Sequence, residues 1–155
     1  IWIHGSASSL TVISPQIYRD INLPFLKMIT KACKEEGVPS HVHICGKSRL
    51  LVQINAEETH LDMMEVLEPP PGGDVDLKEV KQKFGNKLAL KGNINTFETM
   101  FKGSPEDVER KAKWCIDAAA EGGGFILSTG DQCGRDTPTE NLRRLVEVAS
   151  TYGRY

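Results

Sequence analysis

The chain has 155 residues, 39% of them hydrophobic and 26% charged, which is enough for one domain with a sizeable core. Its 19 basic and 21 acidic residues give a net charge of −2, so neither a nucleic-acid-binding surface nor an anionic-membrane surface is indicated. No apolar run approaches the ~18 residues that cross a bilayer, and four scattered cysteines do not make a disulfide scaffold. We therefore expect a cytoplasmic protein with reduced thiols.

The chain opens with a short apolar strand over residues 1–4, followed by a flexible loop over 5–9. It does not begin with methionine, and no charged leader with a small-residue cleavage site is present. Because the first residues already form part of a strand, we expect a fragment whose preceding segment is missing before Ile1.

The segment 14–35 predicts two helices. Ser14 caps the first and Pro15 occupies its first position. Pro24 is expected to break the segment into a short helix and a longer one. The longer helix ends at Gly37, and its apolar positions, which we expect to face the core, are Phe25, Met28, Ile29, Ala32 and Cys33.

Residues 41–45 form the second predicted strand. The helix that follows Gly46 has its apolar positions at Leu50, Leu51 and Ile54. Residues 63–67 are a third strand candidate, although periodicity does not separate it from a buried helical turn. A short charged helix is expected over 76–84, and a fourth strand over 87–91 that ends at Gly92-Asn93.

Two further helices flank the last predicted strand, residues 125–128. The first starts at Ser104-Pro105, and its apolar positions are Val108, Ala112, Cys115, Ile116 and Ala119. The second is predicted from a capping box over 137–140 (TPTE) with proline at the first helical position. Its apolar positions are Leu142, Leu145, Val146 and Ala149.

Strands and helices alternate along the whole chain, which predicts an α/β protein with a parallel sheet. The strands are continuous apolar runs, as expected when both faces are covered. About five βα units can be counted, whereas a complete (β/α)8 barrel needs ~250 residues. The pattern predicts the C-terminal part of such a barrel, with an open doubly wound sheet as the alternative. Gly122–Gly124 precedes a strand and does not open a helix, so it lacks the context of a nucleotide loop.

Metal-ligand side chains end two of these strands. His43 and Cys45 lie two residues apart and therefore point to the same face of the second strand. Cys133 follows the last strand, and parallel strands bring their carboxyl ends to one edge of the sheet. Imidazole and thiolate are ligands that suit zinc, and three protein ligands with an open fourth position are typical of a catalytic site. The alternatives are a non-catalytic zinc site with a fourth protein ligand, and two neighbouring thiols without metal.

Other polar residues are weaker candidates. Lys91, Asn93 and His4 end strands and are candidate substrate contacts. Glu65 is a candidate for the interior near the site, with a helix-facing position as the alternative. His41 lies two residues before His43 and points to the same face of the strand, so it either orients His43 or is a packed, hydrogen-bonded histidine.

Four segments together carry a family resemblance: 43–46 (HICG), 90–93 (LKGN), 122–128 (GGGFILS) and 137–142 (TPTENL). In this order they resemble the C-terminal half of the uroporphyrinogen decarboxylase superfamily. Within it the chain most resembles the zinc-dependent cobamide methyltransferases, which move methyl groups between a corrinoid protein and a thiol or other methyl carrier. The similarity runs from about Ser14 to the end of the chain.

The resemblance implies a (β/α)8 barrel with zinc at its C-terminal mouth, bound by His43, Cys45 and Cys133. It also implies a methylcobamide carried by a partner protein, and a missing N-terminal half or a homodimer partner. Uroporphyrinogen decarboxylases share the fold but use no metal, and their late loop carries a histidine near the position of Cys133. Decarboxylation in porphyrin biosynthesis is therefore the alternative activity, beside a non-catalytic zinc-bearing fragment.

Overall fold

A computed structural model describes residues 1–154 as an α/β structure. Its strands are β1 (Trp2–His4), β2 (His41–Ile44), β3 (Met63–Val66), β4 (Ala89–Ile94) and β5 (Phe125–Thr129). Its α-helices are α1 (Pro15–Ile17), α2 (Leu23–Glu35), α3 (Arg49–Glu58), α4 (Leu77–Phe84), α5 (Pro105–Ala119) and α6 (Thr139–Thr151). A 3-10 turn (Ser6–Ser8) and two π-helical turns (Tyr18–Asn22 and Thr96–Phe101) complete the regular structure of the described residues.

The order of the strands distinguishes the two predicted architectures. The five strands form one parallel sheet in the sequential order β1-β2-β3-β4-β5. A doubly wound sheet reverses its strand order at a switch point, whereas a barrel adds each strand beside the previous one. The sheet is therefore a partial barrel, as predicted, and its open edges are β1 and β5 within residues 1–154.

Two of the three predicted helix caps are present. The Ser14 hydroxyl accepts a hydrogen bond from the Ile17 N–H, and Ser104 forms a complete capping box with Asp107. The third was wrong: α6 begins at Thr139, one residue later than the capping box requires, and Pro138 precedes it without a side-chain cap. The hydroxyl of Thr137 is buried and has no hydrogen-bond partner among the described residues.

The helical segment before β2 is divided into a short helix and a longer one, as predicted, but its buried face differs from the prediction. The π-helical turn Tyr18–Asn22 separates α1 from α2, and Pro24 lies in the first turn of α2. Phe25 and Met28, which were predicted to face the core, are each 61% exposed. The buried face of α2 is formed by Leu23, Leu26, Thr30 and Cys33. The predicted face was offset by one residue, roughly 100° around the helix, because Leu26 and Phe25 fit the helical period equally well.

A similar rotation occurs in α6, where Val146 is 65% exposed and Val148 and Asn141 are buried. Asn141 donates hydrogen bonds from its side-chain amide to the carbonyls of Met100 and Gly103, at 2.9 and 2.8 Å. The polar residue thus faces inward to satisfy the carbonyls of the loop after β4.

The fourth strand does not end at Gly92-Asn93 as predicted but continues to Ile94. Asn93 is 1% exposed, and its side-chain amide donates to the Leu67 carbonyl at 3.0 Å. The prediction treated glycine as a strand end, whereas here the strand accommodates Gly92 because it pairs with Leu127 of β5.

The main core lies between the sheet and the helices that cover one of its faces. It includes Val42, Ile44, Leu51, Met64 and Leu90, all at 2% exposure or less. The predicted core positions of α5, including Cys115, are buried as well. Among the described helices, none combines the length and apolarity required to cross a membrane.

Candidate metal centre

The register of the sheet aligns four polar residues in one row. His4 pairs with His43, His43 with Glu65, and Glu65 with Lys91, across β1 to β4. Paired residues of parallel strands point to the same face, so these side chains converge on the face opposite the helix-covered core. Val42 and Ile44 point the other way into that core. This row is the floor of the candidate site.

Glu65 is the acceptor at the centre of the row. Its Oε1 lies 2.9 Å from His43 Nδ1 and accepts a hydrogen bond from Trp2 Nε1 at 3.3 Å. Lys91 Nζ forms an ion pair with Oε2. His41 Nε2 lies 3.2 Å from Oε1, a close contact without hydrogen-bond geometry. The Glu65 side chain is only 8% exposed, so these groups replace its hydration.

These contacts keep Glu65 ionised. Burial raises its pKa, but hydrogen bonds from Lys91 and His43, together with the positive charge of Lys91, hold that pKa below its usual value. Burial also lowers the pKa of His41, against the attraction of Glu65. The site therefore contains a carboxylate that is charged at neutral pH and a neighbouring His41 that is disposed to stay neutral.

The carboxylate fixes the tautomer of His43. An ionised carboxylate only accepts hydrogen bonds, so His43 Nδ1 must carry the proton that is shared with Glu65. Nε2, the other ring nitrogen, lies 3.7 Å from an oxygen of the Asp131 carboxylate. A histidine whose far nitrogen donates to a carboxylate is the usual arrangement of a metal-ligating imidazole.

Cys45 follows β2 directly and is held by a constrained turn. Gly46 has φ +75°, and a Cβ at this position would lie 2.4 Å from Thr11 Oγ1. The Gly46 N–H donates to Glu68 at 2.7 Å. The Cys45 thiol lies 3.2 Å from the hydroxyl of Ser6. The turn thus directs Cys45 back over the sheet edge beside His43.

Three potential ligands meet at this edge: His43, Cys45 and Asp131, each with one donor atom within 4.8 Å of the other two. Ligands about 2.0–2.3 Å from a tetrahedral zinc ion lie roughly 3.3–3.8 Å from one another, close to the separation of His43 Nε2 and Asp131. Imidazole nitrogen, thiolate sulfur and carboxylate oxygen are all zinc ligands. The residues fit a divalent ion of this class.

Cys133 lies two residues beyond Asp131 in the loop after β5 and is not one of these three. Burial raises the pKa of its thiol. All four cysteines are free thiols, and Cys33 and Cys115 are buried in the core. Cys133 is therefore close in sequence to the cluster without being one of its three members, and its metal ligation stays a prediction.

The predicted substrate contacts lie in different environments. Lys91 reaches the site through Glu65, whereas Asn93 is bound into the core and also accepts a contact from Cys115 at 3.5 Å. The ring of His4 stacks on that of His43, with centroids 5.5 Å apart, and its Nε2 lies 3.5 Å from Ser6 Oγ. Their roles in substrate binding stay predictions.

Sequence reasoning missed Asp131 and Trp2. Asp131 lies in the same short segment as Cys133, after β5, so its position was as visible as that of the cysteine. Because sulfur was preferred as the third zinc ligand, Cys133 was the only residue of this segment predicted to bind metal. Trp2 carried no sequence signal, because only the pairing of β1 with β2 brings its indole to Glu65.

Comparison with known proteins places this site in a family. The model of the family described as uroporphyrinogen decarboxylase (URO-D) matches residues 2–152, almost the whole chain. The chain belongs to this family.

Relatives within the uroporphyrinogen decarboxylase family bear two kinds of name. A methylcobamide:CoM methyltransferase from Methanosarcina mazei is 31% identical over 152 residues, which are 98% of this chain and 42% of the relative. A methylated-thiol–coenzyme M methyltransferase from the same organism is 27% identical, over 96% of this chain and 36% of the relative. A uroporphyrinogen decarboxylase from Vesicomyosocius okutanii is 25% identical, over 92% of this chain and 39% of the relative.

A solved methyltransferase structure from Methanosarcina mazei shares the fold, with a TM-score of 0.81 and 22% identity. It aligns with 99% of this chain, and this chain covers 42% of it. The chain thus spans about two fifths of the length of the proteins it matches. The fold is the partial barrel that the strand order indicates.

Proposed function

We propose that the chain is the metal-bearing part of a zinc-dependent methyltransferase, which moves a methyl group between a corrinoid protein and a thiol or other methyl substrate. The observation that carries this proposal is the cluster of nitrogen, sulfur and carboxylate ligands at the C-terminal edge of the sheet. Methyltransferase names among the relatives support it. Active sites of barrels lie at this edge.

His43, Cys45 and Cys133 are the proposed zinc ligands, with Asp131 beside them. When bound, zinc lowers the pKa of a substrate thiol and keeps it nucleophilic at neutral pH. For Cys133 to ligate, its thiol must move towards the cluster, because it is not one of the three groups that lie within 4.8 Å of one another. This requires only a local rearrangement, because Cys133 and Asp131 share one short loop.

The protein's own contribution is orientation. Glu65 holds the proton of His43 on Nδ1, so that Nε2 presents its lone pair to the ion. Lys91 balances the charge of Glu65 and leaves a nearly neutral floor. The rings of Trp2 and His4 pack around His43 and restrict its rotation. These residues lie on adjacent strands, so the arrangement is rigid before any substrate arrives.

Uroporphyrinogen decarboxylase activity is the second candidate, since several relatives have that name. The ligand cluster argues against it, because the resemblance ascribes no metal to those enzymes. A non-catalytic zinc site is the third candidate, and it requires that protein groups occupy all four positions of the ion.

The barrel needs a further segment to close. A (β/α)8 barrel has eight strands and this chain supplies five, so a segment with three strands would close the barrel between β1 and β5. A second copy of this chain would supply five strands, two more than the barrel needs. The strand count therefore favours a missing N-terminal part over a homodimer. The exposed apolar side chains along α1, α2 and the turn between them provide a surface for it: Ile17, Ile21, Phe25 and Met28.

The test is zinc content per chain after purification without chelator, for the wild type, Cys45→Ala and Cys133→Ala, with Cys33→Ala as the control. Near-stoichiometric zinc that falls in both site variants but not in the core-cysteine variant supports the proposal. A wild type that neither contains zinc nor takes it up refutes it. Methyl transfer from methylcobalamin to coenzyme M is then measured with the preceding segment supplied.

A further inference from the structure

We infer that Asp131 is itself a metal ligand, and that its carboxylate occupies the position that a substrate thiol must take. This inference rests on the proposed function, because it assigns a role at the same ion. It goes beyond the predicted ligands, which were one histidine and two cysteines.

The first argument is geometric. His43 Nε2 lies 3.7 Å from an oxygen of the Asp131 carboxylate. One donor atom from each of His43, Cys45 and Asp131 lies within 4.8 Å of the other two. The separation is too long for a hydrogen bond and suits two ligands of one ion.

The second argument concerns the partners of Asp131. Within the described part of the chain, no lysine or arginine lies within salt-bridge distance of its carboxylate. The carboxylate accepts one hydrogen bond at 2.7 Å, from the backbone N–H of Gln132. Thr129 fixes the backbone by donating to the Asp131 carbonyl at 2.7 Å. Among the described residues, the Asp131 side chain is therefore held at the site without a lysine or arginine to balance its charge.

The third argument is the number of ligands. With Cys133 added, as the proposed function requires, His43, Cys45 and Asp131 become part of a set of four ligands, which is closed for tetrahedral zinc. A thiol can then bind only if one of them leaves. Asp131 is the candidate, because a carboxylate is a harder ligand than thiolate or imidazole. It is also more exposed, with 35% of its side chain accessible against 9% for His43.

The ligand exchange is balanced without a redox partner. With the ion bound, the carboxylate of Asp131 would leave it as the substrate thiolate binds, and the thiol proton would pass to the freed carboxylate or to water. Asp131 thus shields the ion when no thiol is present and opens the site when one binds. This behaviour separates the inference from a closed structural site, where added thiol displaces nothing.

The test measures metal binding and thiol binding in the wild type and Asp131→Asn. Asp136→Asn is the matched control, since Asp136 belongs to the same loop, is 77% exposed and pairs with Arg135. Co²⁺ is the probe, because its visible absorption reports the coordination number and its near-ultraviolet absorption counts thiolates. Affinity is obtained by competition with a chelator, and thiol binding by titration with 2-mercaptoethanol.

We expect Asp131→Asn to weaken Co²⁺ binding by at least tenfold and to tighten thiol binding to the remaining complex several-fold, while Asp136→Asn changes neither. The tightening is decisive, since only a displaced ligand competes with the thiol. Unchanged metal and thiol affinities in Asp131→Asn overturn the inference while leaving the zinc site intact. Failure of the wild type to bind Co²⁺ or Zn²⁺ refutes the proposed function together with the inference.

Discussion

Replacing Glu65 by glutamine tests whether one buried carboxylate organises the site. Glutamine keeps the shape and can still accept the proton of His43, but it removes the charge that Lys91 and His41 face. The glutamine amide also carries N–H donors. If its NH2 group pointed at Lys91, two hydrogen-bond donors would face each other. The substitution therefore isolates the charge from the volume.

The magnitude follows from the contacts of Glu65. A hydrogen bond to a charged group contributes about 1.5–3 kcal/mol, and Lys91, which is 31% exposed, recovers part of this from water. We expect the free energy of unfolding to fall by about 2 kcal/mol, which lowers the melting temperature by roughly 4–8 °C in a chain of this size. Zinc affinity should fall by about 10–100-fold, because His43 loses the partner that fixes its tautomer.

The assays are chemical denaturation of the metal-free protein and zinc competition with a chelator. Glu58→Gln is the control, since Glu58 also binds two cations, Arg19 and Lys27, but on the protein surface. We expect no measurable change there, because exposed ion pairs contribute little. A Glu65→Gln variant that matches Glu58→Gln in stability and in zinc affinity would refute the central role of Glu65.

Three further predictions concern the fold. Gly46→Ala should lower the free energy of unfolding by more than the roughly 1–2 kcal/mol of left-handed backbone strain, because the added Cβ would also collide with Thr11. Gly37→Ala is the matched control: its φ is +65° and its surroundings are open, so it should lose only the roughly 1–2 kcal/mol of backbone strain. Leu51→Ala should cost about 2–5 kcal/mol at 0% exposure, and Leu50→Ala, at 37% exposure, much less. Burial raises the pKa of Tyr18 to about 12, against its hydrogen bond with Asn55, so unfolding free energy should fall as pH rises from 10 towards 12.

Each of these has a direct measurement. Urea denaturation gives the change in unfolding free energy for each glycine and leucine variant. Equal losses of unfolding free energy in the two glycine variants would contradict the collision with Thr11, and equal losses in the two leucine variants would contradict the assigned burial. For the tyrosine, the folded-state pKa lies above the unfolded value of 10, so its contribution is complete below pH 10 and is lost above it. Two pKa units correspond to about 2.7 kcal/mol at most. A Tyr18→Phe variant with the same alkaline loss as the wild type would contradict this assignment.

The strands were predictable because their signals are local. Each is a short apolar run bounded by turn residues, and the predicted sites of β2, β3 and β5 match to within one residue. The caps at Ser14 and Ser104 were equally local, since a hydroxyl bonds to an N–H group three residues away. The capping box predicted at Thr137 is absent, because the helix begins one residue later and the Thr137 hydroxyl is buried without a hydrogen-bond partner among the described residues.

Helix faces were less predictable. In α2, apolar residues occur on more than one side, so the period does not distinguish the buried Leu26 from the exposed Phe25. The choice depends on which side the sheet occupies. In α6, Asn141 is buried because its amide donates to the carbonyls of Met100 and Gly103, and no local sequence pattern predicts these contacts.

What the sequence determined by itself is the parallel α/β pattern and the pairing of His43 with Cys45 on one face, because alternation along a strand depends on neighbouring residues only. The tertiary structure decided everything that depends on register between strands. It placed Glu65 beside His43, brought Trp2 and Lys91 to the same carboxylate, and turned Asp131 towards the cluster. Register and loop direction arise from packing between segments distant in sequence, so local patterns carry no record of them.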